Sequence, residues 1–181
     1  MPKQEKGRIH VYTGEGKGKT TAGLGLAIRA AGQGLKVGII YFDKGGDFYG
    51  ERKILDKLVN DRFTYHAFGM PRFEEGKGFR FKNIPEDIQE AQIALDQVLA
   101  WFKMDYDLII LDEINTTVKT ELLKLPDIIY ILKNKPEKLE LVLTGRYAPP
   151  EIIELADLVS EIKPIKHYMY KGHTAKKGIE Y

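Results

Sequence analysis

Thr13-Gly14-Glu15-Gly16-Lys17-Gly18-Lys19-Thr20-Thr21 is the stretch whose residue types and spacing most directly imply chemistry. Its alternating glycines permit unusual backbone angles and close approach, so successive N–H groups can converge on phosphate oxygens. A helical pattern begins immediately afterwards, and a helix N-terminus there adds a favourable dipole. Lys19 is placed to neutralise phosphate charge, and the Thr20 hydroxyl to ligate Mg²⁺. The stretch follows the G-x-x-x-x-G-K-[ST] form except that Thr13 stands at the first glycine position. Residues 13–21 are therefore the candidate nucleotide site. A matching acidic element comes later, where the apolar run Leu108-Ile109-Ile110-Leu111 ends in Asp112-Glu113. Carboxylates at the C-terminal end of a buried strand sit where parallel sheets bind ligands. Either acid could hold Mg²⁺ directly or through water, and the spacing leaves open which one does.

The elements that must position these groups follow from periodicity. Apolar runs at residues 9–12, 37–42, 63–67, 108–111, 139–143 and 158–162 read as strands. Several are continuous Val/Ile/Leu runs, as expected for parallel strands buried on both faces. Leu24, Ala27, Ile28 and Ala31 mark one helix, with Gly32 and Gly34 as its stop. Ile88, Ala91, Leu95, Val98, Leu99 and Phe102 mark another over residues 85–102, with Pro85 suited to its first turn. Strands alternating with helices give a three-layer α/β fold with a mostly parallel sheet.

Composition narrows the possibilities. A chain of 181 residues and 20.6 kDa accommodates one ordinary domain spanning residues 1–181. A formal net charge of +2 does not suggest a dominant nucleic-acid surface. With no Cys, disulfides, thiolate metal sites and Cys nucleophiles are excluded, which fits a reducing, cytoplasmic compartment. No apolar run approaches the roughly 18 residues of a membrane span, and the opening MPKQEKGR has no apolar signal core. Of the 18 glycines, 12 fall in the first 50 residues, around the phosphate loop.

Over nearly its whole length the sequence resembles the ATP:corrinoid adenosyltransferases of the cob(I)yrinic acid a,c-diamide type. The carriers are Gly16-Lys17-Gly18-Lys19-Thr20-Thr21, Gly50-Glu51-Arg52, Leu111-Asp112-Glu113 and Leu143-Thr144-Gly145-Arg146. Leu155-Ala156-Asp157-Leu158-Val159-Ser160-Glu161 and the tail Lys163-Pro164-Ile165-Lys166-His167, ending Gly178-Ile179-Glu180-Tyr181, complete the match. The resemblance implies a RecA-like P-loop fold that transfers the 5′-deoxyadenosyl group of ATP to the Co(I) of a reduced corrinoid, releasing triphosphate. Co(I) is itself a strong nucleophile, so the protein needs no Ser or Cys nucleophile and no obvious general base. In this family ATP is understood to lie reversed in the loop, exposing C5′ instead of the γ-phosphate. Position by position, Thr20 and Glu113 look like the family's Mg²⁺ contacts, with Asp112 supporting. Lys19, Glu113 and Arg146 look catalytic, Arg146 as a phosphate contact, and Arg52 is a further candidate nucleotide contact. The resemblance also implies a homodimer and an electron-donating flavoprotein reductase as partner, while charge and hydropathy lead to the expectation of neither a membrane nor a nucleic acid.

Three departures from the family pattern stand out. Glu15 replaces the common Asn, and a carboxylate near triphosphate repels it unless it points away. Met70-Pro71-Arg72-Phe73 follows Gly69, where some members carry aromatic residues that help remove the corrinoid's lower ligand. About eight residues precede the first strand, without the N-terminal extension of some members.

Two rival readings share the phosphate loop. In a RecA-like ATPase, Glu113 would orient water and the products would be ADP and phosphate. In a nucleotide-dependent binding module, residues 69–83 would grip single-stranded nucleic acid through Phe73, Phe79 and Phe81 with Arg72, Lys77, Arg80 and Lys82. Neither accounts for the tail match. The same three Phe are candidates for corrinoid contact, Trp101 reads as core, His10 as packed or at an edge, and His167 as a polar tail residue.

Overall fold

The computed structural model describes residues 6–74 and 78–181, without the side chains of Phe73 and Glu74. In chain order, β1 (Ile9–Thr13), α1 (Lys19–Gly32), β2 (Val37–Tyr41), α2 (Arg52–Leu58) and β3 (Phe63–Ala67) form the first half. A small antiparallel hairpin follows, β4 (Phe73–Glu74) with β5 (Gly78–Phe79), and then α3 (Pro85–Trp101). The second half is β6 (Leu108–Asp112), α4 (Ile114–Lys119), α5 (Leu125–Lys133), β7 (Glu140–Thr144), α6 (Pro150–Leu155) and β8 (Leu158–Glu161). A 3₁₀ turn at Tyr168–Lys171 lies in the tail.

Six strands form one sheet in the order β3-β2-β6-β7-β1-β8, and every pairing is parallel. This is the three-layer α/β arrangement of a P-loop fold. β7 lies between the strand that leads into the glycine loop and the strand that ends in Asp112. The register pairs Tyr41 with Asp112 and Tyr12 with Thr144, so several strand ends meet at one edge, where such sheets bind ligands.

Alternate residues of each central strand feed two cores, which explains the continuous apolar runs. Ile40, Phe42, Ile109, Leu111, Leu141 and Leu143 pack with Ala91, Leu95 and Val98 of α3 and with Ile128 and Ile131 of α5. On the other face Ile39, Tyr41, Leu108, Ile110 and Val142 pack with Ala27 and Ala30 of α1 and Leu55 of α2. Each fully buried Leu or Ile contributes about 1.5–3 kcal/mol. Trp101 is in the core as expected, and Gly38 makes room for it. A Cβ on Gly38 would lie 2.4 Å from Trp101 Cζ3.

Every expected strand is present to within a residue or so at its ends, and the expected faces of α1 and α3 point inward except at one residue each. Ile28 and Ile88 are exposed, at 45% and 46%. α1 seats itself with Gly23, Ala27 and Ala30, because small residues allow close approach to the sheet. Hydrophobicity alone points instead to its larger side chains. α2, α4, α5 and α6 are only six to nine residues long, too short to show a sustained period. Among the described residues no helix is long and apolar enough to cross a membrane.

Candidate active site

The glycine loop is closed from behind by the strand edge. The Gly16 N–H donates to the Ile162 carbonyl at 2.7 Å. Gly14 has φ +97°, and a Cβ there would meet the same carbonyl oxygen at 2.5 Å, so glycine is required twice over. Inside this cradle Lys19 is buried, and its Nζ donates to the carbonyls of Gly14 and Gly16, both at 2.7 Å. Burial pulls the Lys19 pKa below its ordinary value, while the nearby Glu113 charge pushes the other way. Thr13 turns away from the cradle, its hydroxyl accepting from the Ala148 N–H at 3.3 Å. Thr21 is exposed.

Asp112, 1% exposed, is the hub. Its Oδ1 accepts from the Thr144 hydroxyl at 2.6 Å and its Oδ2 from the Thr20 hydroxyl at 3.2 Å. Lys44 Nζ sits between the same partners, 2.5 Å from Asp112 Oδ2 and 3.0 Å from Thr20 Oγ1. Burial disfavours the Lys44 charge, but Asp112 and Glu113 together outweigh it and raise its pKa. Thr144 also accepts from the Glu113 N–H at 3.0 Å, and Thr116 donates to Glu113 Oε2 at 2.6 Å. Glu113 reaches this position with φ +64°, a left-handed conformation uncommon for a residue with a side chain. Asp43, just beyond β2, and Tyr147, just beyond β7, share that conformation. Such outliers cluster at functional edges.

A cation already sits between Thr20 and Asp112 in the form of the Lys44 ammonium, so these oxygens suit a hard divalent cation such as Mg²⁺. Among the described residues no group of three or more His, Cys, Asp or Glu could hold a metal unaided. Phosphate oxygens and water would complete the shell, as is usual for Mg²⁺.

The remaining expected residues are placed as follows. Arg52 is buried and donates to the carbonyls of Lys44 and Gly46, with its guanidinium 4.5 Å from the Tyr49 ring centre. It thus braces the loop that carries Lys44. Arg146 and Glu15 are both about half exposed and face one another at 3.4 Å. Lys17 is engaged by the tail, donating to the Ile179 carbonyl at 2.9 Å and to Glu180 Oε1 at 2.7 Å. His167 accepts from the Met169 N–H at 3.2 Å and stays in the tail.

Residues 69–83 fold against this edge. Arg72 donates to both carboxylate oxygens of Asp43, at 2.9 and 3.0 Å, and Arg80 to both of Asp87, at 2.5 and 2.9 Å. These two arginines are committed to internal carboxylates, whereas Lys82 is exposed. Asn83 Nδ2 donates to the Thr120 carbonyl at 2.5 Å. Asp43 and Thr120 both line a cleft of about 200 Å³ with Lys44, Tyr49, Glu113 and Thr116. Phe79 and Phe81 stand 54% and 86% exposed on the same segment. Lys77 and the Phe73 side chain lie outside the described residues.

Comparison with known proteins gives the family. Residues 5–181 match the family model described as ATP:corrinoid adenosyltransferase BtuR/CobO/CobP. The chain belongs to the ATP:corrinoid adenosyltransferase family. It is 34% identical to the corrinoid adenosyltransferase of Sinorhizobium sp, over 98% of this chain and 81% of the relative. It is also 34% identical to that of Pseudomonas aeruginosa, over 99% and 86%, and 36% identical to that of Escherichia coli K12, over 98% and 87%. In this member of the family the sequence reading missed Lys44 and Thr144 as site residues. Each stands at or just beyond the C-terminal end of an apolar strand, the same signal that singles out Asp112.

Proposed function

We propose that this protein transfers the 5′-deoxyadenosyl group of ATP to the Co(I) centre of a reduced corrinoid and releases triphosphate. The observation that carries the reading is the convergence of Lys19, Thr20 and Asp112 behind the glycine loop of a chain in this family. In the reaction the cobalt electron pair forms the bond to C5′ as the C5′–O5′ bond breaks, and that bonding pair leaves on triphosphate. No proton moves, so a base is not needed, and the protein's contribution is alignment and stabilisation of the leaving group. Lys19 exchanges its two carbonyl acceptors for phosphate oxygens, and the loop N–H groups hold the chain of phosphates. Arg146 adds a guanidinium fork once Glu15 releases it. Thr20, Asp112 and Glu113 would hold Mg²⁺, which would supply charge neutralisation to the triphosphate. The cleft beside Lys44 and Glu113, with Phe79 and Phe81 on the adjoining segment, gives a corrinoid both polar and apolar contacts.

The same proposal includes a cytoplasmic homodimer and a flavoprotein reductase that supplies the electron to cobalt, both supported by kinship with the family. The deciding experiment incubates the protein with Mg-ATP and a chemically reduced corrinoid under anoxic conditions. A light-sensitive cobalt–carbon product with stoichiometric triphosphate supports the reading. Steady ADP formation without corrinoid, and no alkylated product with it, would establish an ATPase instead.

A further inference from the structure

Lys44 has no part in the proposed reaction, yet it occupies the centre of the site. Its side chain is 13% exposed and that of its partner Asp112 2%. The ammonium lies 2.5 Å from Asp112 Oδ2 and 3.0 Å from Thr20 Oγ1, between the two oxygens assigned to the metal. Aromatic rings complete its surroundings, with the Tyr41 and Tyr49 ring centres 5.5 and 5.7 Å away. A divalent cation and this ammonium cannot share the Asp112 carboxylate, because like charges at such a separation repel strongly in a poorly solvated site.

We propose that Lys44 is a built-in counter-ion that keeps the metal position closed until a nucleotide arrives, making divalent-cation binding conditional on polyphosphate. Without nucleotide, one ammonium matches one buried carboxylate and the site is locally neutral. A free divalent cation would have to displace it and leave an excess positive charge. A metal–nucleotide brings its own negative charge, which balances the metal and the withdrawn ammonium together. The backbone around Lys44 is pinned, so the side chain is the moving part. The Lys44 N–H donates to the Phe68 carbonyl at 2.9 Å, and Arg52 holds the Lys44 and Gly46 carbonyls. A Cβ on Gly45 would lie 2.0 Å from the Gly69 carbonyl, so the loop is also packed from that side. The cleft of about 200 Å³ lined by Lys44, Tyr49 and Thr120 gives the ammonium somewhere to go.

The inference rests on the proposed metal position but not on the corrinoid reaction. It is tested with Mn²⁺ alone, read by the electron paramagnetic resonance of the free ion, on nucleotide-free protein. Wild type should show no saturable site at millimolar Mn²⁺. Lys44→Met should bind one Mn²⁺ per chain about tenfold tighter or more, since removing a like charge at contact distance has a large effect. Adding Asp112→Asn to Lys44→Met should abolish that site. The proposal is overturned if wild type binds Mn²⁺ as tightly as Lys44→Met, or if a cooperatively melting Lys44→Met has no Asp112-dependent site. Should Lys44→Met not melt cooperatively, Lys44→Gln, which keeps a donor to Asp112, replaces it, and the same two results support or overturn the proposal. Because no corrinoid is present, failure of adenosylation would leave this result standing, and the reverse is equally true.

Discussion

Thr144→Val removes one oxygen from the centre of the site while nearly preserving side-chain volume. Thr144 is fully buried on β7, between the glycine-loop strand and the Asp112 strand. Its hydroxyl donates to Asp112 Oδ1 at 2.6 Å and accepts from the Glu113 N–H at 3.0 Å. A hydrogen bond to a charged group is worth roughly 1.5–3 kcal/mol, and an orphaned, partly buried N–H costs about 1–3 kcal/mol. The added methyl returns about 0.8 kcal/mol of burial. The expected net loss is therefore about 2–5 kcal/mol, or a fall in Tm of roughly 4–20 °C for a chain of this size. Scanning calorimetry of the nucleotide-free protein measures it, with Thr144→Ser as the control that keeps the hydroxyl and should recover most of the loss. Mg-nucleotide affinity should fall as well, because Asp112 loses the bond that orients it. If Thr144→Val melts within about a degree of wild type while Thr144→Ser does not differ from it, the hydroxyl does not bridge Asp112 and Glu113.

Lys19→Ala should weaken nucleotide binding about a hundredfold, since charged hydrogen bonds of roughly 1.5–3 kcal/mol are lost together. Equilibrium dialysis with labelled ATP would show it, and unchanged affinity would refute the cradle. Gly38→Ala should cost about 1–3 kcal/mol by overpacking against Trp101, read as a lower urea midpoint; no change would mean that Trp101 repacks freely. Asp87 has a pKa held below the usual carboxylate value, first by the Arg80 hydrogen bonds and then by the Ile84 N–H. Its contribution to stability is complete above the unfolded Asp value near 3.9 and is lost as pH falls through the lower folded value. Asp87→Asn should therefore flatten the decline in Tm below about pH 4; an acid limb identical to that of wild type would contradict the assignment.

The glycine loop and Asp112 were legible in the sequence because their chemistry is written in consecutive residues. The central strands β2, β6 and β7 were legible because burial on both faces gives apolar runs. Lys44 and Thr144 were not, since each is one polar residue whose partner lies 68 or 32 positions away. Their only local signal is a position at a strand's C-terminal end, which becomes informative once the strand order is known. Arg52 shows the opposite difficulty. A buried arginine next to a nucleotide site reads as a phosphate contact, yet here loop carbonyls take its hydrogen bonds. Ile28 misled for a steric reason, because Gly23, Ala27 and Ala30 do the packing where α1 lies close to the sheet.

The basic side chains around the glycine loop share one design, in that Lys17, Lys44 and Arg146 each hold an internal carboxylate. The energetic consequences differ with burial. The Arg146–Glu15 pair is about half exposed on both sides, and exposed pairs contribute little because water screens them. Phosphate oxygens can therefore draw Arg146 away from Glu15 at small cost. The glutamate in the loop is thus paired with a guanidinium before any phosphate arrives. Lys17 is tied to Glu180 and the Ile179 carbonyl, so a phosphate that recruits Lys17 must also loosen the tail. The Lys44–Asp112 pair is different, because both groups are nearly buried. Breaking such a pair leaves an uncompensated charge unless another cation replaces the one withdrawn. Exchange at the rim can precede the metal, whereas exchange at the centre has to be coupled to it.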